Sequence, residues 1–233
     1  MAVTPNTNDT FLREVDEELR RDQAIAVWRK WGRLIVVGVV VALVAFGGYL
    51  FWQHRKAEAA GAEGEQLQAA YDKLAAGQKD AAAKPLAELA QSSADGYRAL
   101  AIFTQADLLL QKDDLKGAAA KFASVANDSS VAQPFRDLAL VRQTTAEFDT
   151  LKPDDVIARL RGLAVQGNPW FGSAGELVAA AYLKQGRRDL AGAMFGRLAK
   201  DEGVPESIRQ RAVQMAGTMG VDTVGANEGQ NKQ

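Results

Sequence analysis

Nineteen consecutive residues, 34–52, read LIVVGVVVALVAFGGYLFW and carry no charge on any helical face. At about 1.5 Å of rise per residue such a helix is about 28 Å long, close to the ~30 Å hydrocarbon core of a bilayer. The pattern predicts a transmembrane helix over 34–52. Trp28 and Trp31 precede the run, and Tyr49 and Trp52 close it. Aromatic side chains with a polar edge favour the lipid–water boundary, so these four are the candidate interface residues. A buried core helix is the weaker reading, because globular helices seldom stay uncharged all round. A cleaved signal sequence is the more serious rival, since Ala57-Glu58-Ala59 has a small-x-small form. Against it, the apolar run exceeds the ~7–15 residues of a signal core. The segment before the run is also long and holds six acidic residues.

The flanks differ in pattern. Residues 1–8 are polar and predict disorder. Over 11–21, Phe11, Leu12, Val15 and Leu19 share one helical face among charges of both signs, which predicts a short amphipathic helix. It either leads into the span or docks a partner. After the span, Leu67, Ala70, Tyr71 and Leu74 predict a helix over 57–77.

Beyond residue 77 a stripe recurs. Leu86 and Leu89, then Phe122 and Val125, then Leu160 and Leu163, then Phe195 and Leu198 stand in the same frame, at intervals of 36, 38 and 35 residues. Four residues ahead of each first member is a smaller apolar residue: Ala82, Ala118, Val156 and Ala191. These positions form one apolar face on the second helix of each repeat. The intervening helices begin near Tyr97, Phe135, Phe171 and Ile208, spaced by 38, 36 and 37 residues. Pro134, Pro153, Pro169 and Pro205 stand where helices start, and there a missing N–H costs nothing. Asn168 is a candidate N-cap. Pro85 falls inside a second helix, which it should shorten or bend. A two-helix repeat of 35–38 residues predicts an all-α fold, a tetratricopeptide-like solenoid of stacked helix pairs. The usual W-x₂-L-G-x₂-Y opening is absent. The domains expected are a cytoplasmic segment over 1–33, the span over 34–52, the repeats over 53–216 and a disordered tail over 217–233.

Charge sets orientation and excludes functions. Arg20, Arg21, Arg29, Lys30 and Arg33 precede the span, and only Arg55 and Lys56 follow it closely. The excess predicts a cytoplasmic N-terminus and an exported repeat domain, with Arg29, Lys30 and Arg33 as the nearest topology determinants. From Ala57 onward there are 20 lysines and arginines against 23 aspartates and glutamates. A mildly acidic domain argues against nucleic-acid binding.

The chain has no cysteine and one histidine, His54, at the membrane boundary. That excludes thiolate catalysis, disulfides and multi-histidine metal sites, and it disfavours a Ser-His-Asp triad. Gly162 to Gly167 resembles the start of a phosphate loop, but Asn168-Pro169 stands where Lys-Ser/Thr is needed. Asp113-Asp114 and Asp154-Asp155 lie at turns before helices, where capping explains negative charge. No enzyme activity and no cofactor are expected.

Taken together, the segment FLREVDEELRR at 11–21, the Trp28-Arg29-Lys30-Trp31-Gly32 run and the span exit Gly48-Tyr49-Leu50-Phe51-Trp52 resemble the bacterial ancillary subunit of the Sec translocon. The resemblance covers nearly the whole chain and lies more in architecture than in any single motif. It implies an inner-membrane protein with a periplasmic domain. Its implied partners are the Sec translocon and periplasmic chaperones acting on emerging exported proteins. The groove residues stay unassigned. An envelope scaffold for cell division or cell-wall assembly is the alternative with the same architecture.

Overall fold

The computed structural model describes residues 7–222. The described residues form nine α-helices and no strand: α1 (Thr7–Ala75), α2 (Lys79–Leu89), α3 (Asp95–Leu110), α4 (Leu115–Ala126), α5 (Gln133–Glu147), α6 (Pro153–Leu160), α7 (Phe171–Lys184), α8 (Arg188–Lys200) and α9 (Glu206–Thr218). The chain divides into two compact units, residues 1–61 and 62–233. The expected disorder over 1–8 falls partly outside the described residues, and Thr7 and Asn8 already belong to α1.

The first unit is built on α1. This helix has 69 residues and passes without interruption through the apolar run. The short helix expected over 11–21, the span over 34–52 and most of the helix expected over 57–77 all lie on this one helix. No proline lies within α1, and Gly47-Gly48 near the end of the run does not interrupt the backbone ladder. The expected amphipathic face of Phe11, Leu12, Val15 and Leu19 belongs to the same helix, but those side chains lie outside the described ones. Trp28, Trp31, Tyr49 and Trp52 are all at least half exposed, as are most apolar residues between them. One helix is therefore long and apolar enough to cross a membrane.

The second unit is a stack of helix pairs. The end of α1, then α3, α5, α7 and α9 are the first helices of successive pairs; α2, α4, α6 and α8 are their partners. Each helix from α2 onward packs on the next, and α5 with α7 and α7 with α9 pack as well. Packing between consecutive first helices is what stacking of pairs requires. Local chemistry sets the turns. At the ends of α1, α3 and α7 the same two hydrogen bonds close the helix, for example Gln78 N–H to Lys73 O and Gly77 N–H to Leu74 O. This Schellman geometry needs a left-handed residue, supplied by Gly77 (φ 77°) and Gly186 (φ 75°). After α3, Asp113 takes that conformation (φ 61°) instead. Asp114 then caps α4, its carboxylate accepting the Gly117 N–H at 2.8 Å.

Prolines mark starts as expected: Pro134 lies in the first turn of α5, Pro153 opens α6 and Pro205 immediately precedes α9. Asn168 does not cap α7 directly. Its side chain accepts the Trp170 N–H at 2.8 Å, forming a turn just ahead of the helix. Pro85 sits within α2, which continues past it to Leu89.

The eight stripe residues Leu86, Leu89, Phe122, Val125, Leu160, Leu163, Phe195 and Leu198 are all buried, and so are Ala82, Ala118, Val156 and Ala191. One departs from the expected placement. Helix α6 ends at Leu160, so Leu163 packs from a turn held by its N–H to Leu160 O at 2.9 Å. The core forms three clusters. One joins α1, α2 and α3, a second joins α3, α4 and α5, and the largest spans α5 to α9.

Order continues past residue 217. Helix α9 runs through Thr218 and closes in a further Schellman turn at Gly220 (φ 75°). Val221 then rests on α8. Its side-chain carbons lie 2.9 and 3.1 Å from where a Cβ would stand on Gly192 and Gly196. The remainder of the tail, 223–233, lies outside the described residues.

Candidate interaction surface

A solenoid offers its partners a continuous face, so what holds successive pairs in register also shapes the surface. Between the first and second pairs, the Gln105 side chain donates to Leu86 O at 2.9 Å, while its amide oxygen accepts from Lys121 Nζ of its own pair at 2.7 Å. The Ser92 hydroxyl donates to Glu63 at 2.7 Å. Where α5 joins α3 and α4, Arg142 pairs with Asp107 and lies 4.7 Å above the Phe122 ring. Where α9 joins α7, Arg211 makes two parallel 2.8 Å bonds to Glu176. Asp107 and Glu176 are 69 residues apart, as are Arg142 and Arg211. The same clasp, an acid on one first helix and an arginine on the next, thus recurs after two pairs. Between α5 and α7 the clasp changes form: Lys184 bonds Asp149 at 2.9 Å and stands over the Phe148 ring at 4.2 Å.

A second set of interactions ties the loops at one end of the stack. Arg98 at the start of α3 donates to Ser92 O at 2.8 Å, Asp95 at 2.6 Å, Asp128 at 2.9 Å and Ser130 at 2.6 Å. The loops at 90–94 and 127–132 are joined through one guanidinium. Hydrogen bonds from Ser130 and Arg98 hold the Asp128 carboxyl down at about 2, well below its ordinary value. Arg98 in turn is raised, first by Asp128 and then by Asp95. These residues fasten one pair to the next.

Nineteen large hydrophobic side chains are exposed among the described residues, and sixteen of them lie between Trp28 and Trp52. The other three, Tyr71, Leu115 and Val165, stand on different elements. The surface of the helical stack is therefore mostly polar. A cavity of about 130 Å³ between the loops at 167–169 and 201–204 is below the ~300 Å³ of typical small-molecule sites. Among the described residues no group of three or more histidine, aspartate or glutamate side chains is placed to hold a metal.

Sequence reasoning locates the buried stripe and the turns but misses the clasps. Asp107, Arg142, Glu176 and Arg211 look like ordinary charges on helices. The 69-residue recurrence of the acid–arginine pair is the signal that could have found them. Arg29, Lys30 and Arg33 are exposed on α1.

No curated protein and no solved structure matches the chain. The family model for a tetratricopeptide repeat-like domain matches residues 26–216, well over half of the chain, and the match includes the apolar run. With an all-helical stack of pairs, recurring stripes and clasps between pairs on one side and this match on the other, a fold that points to protein–protein interaction, the chain belongs to the tetratricopeptide repeat-like domain family.

Proposed function

We propose that the protein is anchored in the bacterial inner membrane by residues 34–52, with its N-terminus in the cytoplasm and its repeats in the periplasm. There it works beside the Sec translocon, presenting emerging exported proteins to periplasmic chaperones. One observation carries the reading: an uncharged, exposed helical stretch heads a tetratricopeptide-like scaffold in one chain. Anchoring a binding surface raises its effective concentration toward any membrane neighbour. The excess of Arg29, Lys30 and Arg33 over Arg55 and Lys56 supports the orientation. The resemblance of the N-terminal segment and span exit to the translocon's ancillary subunit supports the choice of neighbour.

The test is co-purification of the full chain through a C-terminal tag in mild detergent, followed by mass spectrometry. Enrichment of translocon subunits together with a periplasmic chaperone is the expected result. Recovery of division or wall-synthesis proteins, with no translocon above an untagged control, would replace this reading with that of an envelope scaffold. A chain lacking 34–52 should crosslink fewer clients; undiminished crosslinking would remove the anchor from the mechanism.

A further inference from the structure

The two ends of the apolar stretch treat their cations differently. After the span, Arg55 lies 5.5 Å over the Phe51 ring and Lys56 lies 5.2 Å over the Trp52 ring. His54 faces Glu58 at 3.3 Å. These cations are already engaged by the helix that carries them. Before the span the situation is reversed. Arg29, Lys30 and Arg33 are exposed, and on a helix their neighbours three and four residues away are Ile25, Ala26, Val27, Gly32, Leu34, Val36, Val37 and one another. No carboxylate is within a turn of them. The nearest acid toward the N-terminus, Asp22, is seven residues from Arg29, about 10 Å along the axis.

The same stretch is shaped. A concavity runs beside α1 along Trp28, Arg29, Gly32, Arg33, Val36 and Val37. Gly32 has no side chain, and the Trp28 indole folds over it, 3.2 Å from where a Cβ would stand. Arg29, Arg33 and Val37 follow one another at four-residue spacing, so guanidinium groups at the boundary give way to valine at hydrocarbon depth on one face. That order matches a phospholipid: phosphate first, acyl chain after.

We infer that Arg29, Arg33 and the adjoining Lys30 form a binding site for the headgroup of an anionic phospholipid, whose acyl chain lies along Val36 and Val37. Arginine binds phosphate oxygens through paired, charge-assisted hydrogen bonds, and Trp28 closes the side of the site. Zwitterionic lipid carries the same phosphate but an added cation, which these three charges repel. The inference rests on the reading that 34–52 spans the membrane.

Native mass spectrometry of the full chain, released from bilayers of equal phosphatidylglycerol and phosphatidylethanolamine, tests it. The wild type should retain phosphatidylglycerol preferentially. R29Q/R33Q should lose about twenty-five-fold of that preference, since each of the two basic residues near an anionic surface contributes roughly a fivefold factor. R20Q/R21Q removes the same charge from the same side and should keep the preference. Equal loss in both variants would mean diffuse attraction and overturn the site, as would retained lipid that merely mirrors the bilayer composition. Release of the retained lipid by inorganic phosphate would also overturn it, reducing the site to one for small anions. Extraction of the wild type from membranes by alkaline carbonate would instead overturn the spanning reading, and the lipid site with it.

Discussion

Replacing Phe122 by alanine tests whether the stack is coupled only through neighbours. Phe122 is fully buried in the middle cluster. Its ring lies 6.0 Å from that of Phe103 and under the Arg142 guanidinium. Truncating a buried phenylalanine costs about 3–5 kcal/mol. The ring pair and the cation–π interaction disappear with it, which places this case near 4 kcal/mol. A domain of this size holds roughly 5–15 kcal/mol in all, so a globally cooperative fold would weaken everywhere. A fold whose repeats touch only their neighbours should weaken locally. The assay is hydrogen exchange of the full chain, read by peptide. Peptides from α3, α4 and α5 should exchange about a thousandfold faster, each 1.4 kcal/mol being a factor of ten. Those from α7, α8 and α9 should change less than tenfold. Phe122→Leu keeps most of the volume and should cost only about 1 kcal/mol. Equal acceleration in α3–α5 and α7–α9 would refute the reasoning.

Four further outcomes follow from the geometry. Asp113→Gly should stabilise the protein by roughly 0.5–1 kcal/mol in urea unfolding, because glycine takes the left-handed turn without the steric cost an aspartate bears there. Gly175→Ala should destabilise by about 1–3 kcal/mol, since a Cβ would stand 2.9 Å from Leu198 Cδ2; an unchanged melting temperature would contradict this. A double-mutant cycle on Asp107 and Arg142 should give a coupling of at most about 1 kcal/mol, because both groups are about a third or more open to solvent. The depressed Asp128 pKa is a stabilising contribution present above its ordinary value of 3.8 and lost as pH falls from there through about 2. Asp128→Asn should therefore flatten the decline of the urea midpoint across that window while lowering the midpoint at neutral pH.

Much of the architecture is written locally. Leu86, Phe122, Leu160 and Phe195 announce their repeats because a helix face returns every few residues and a helix pair every 35–38. Pro134, Pro153 and Pro205 announce helix starts because proline tolerates few other positions in helical sequence. What the sequence hides is what stacking creates. Arg142 meets Asp107 only because a whole repeat folds between them. Leu163 holds its stripe position from a turn, since burial and not helix continuity fixes where an apolar side chain goes. The continuity of α1 through the apolar run is hidden for the opposite reason. A change in hydropathy looks like a boundary, yet the backbone hydrogen-bond ladder does not depend on it. The partner-binding residues stay illegible because a polar helical surface carries no local pattern that distinguishes a binding face from a solvated one.

The seat of Val221 on Gly192 and Gly196 has a consequence for how long such an array can become. A stack of identical joints has no inherent length; its final joint is a template onto which another molecule's first pair could add. Here the chain makes its usual turn after α9 and lays a valine back across α8. Gly192 and Gly196 on α8 are thereby covered within the molecule. A further helix laid on α8 at these two glycines would first have to displace the valine.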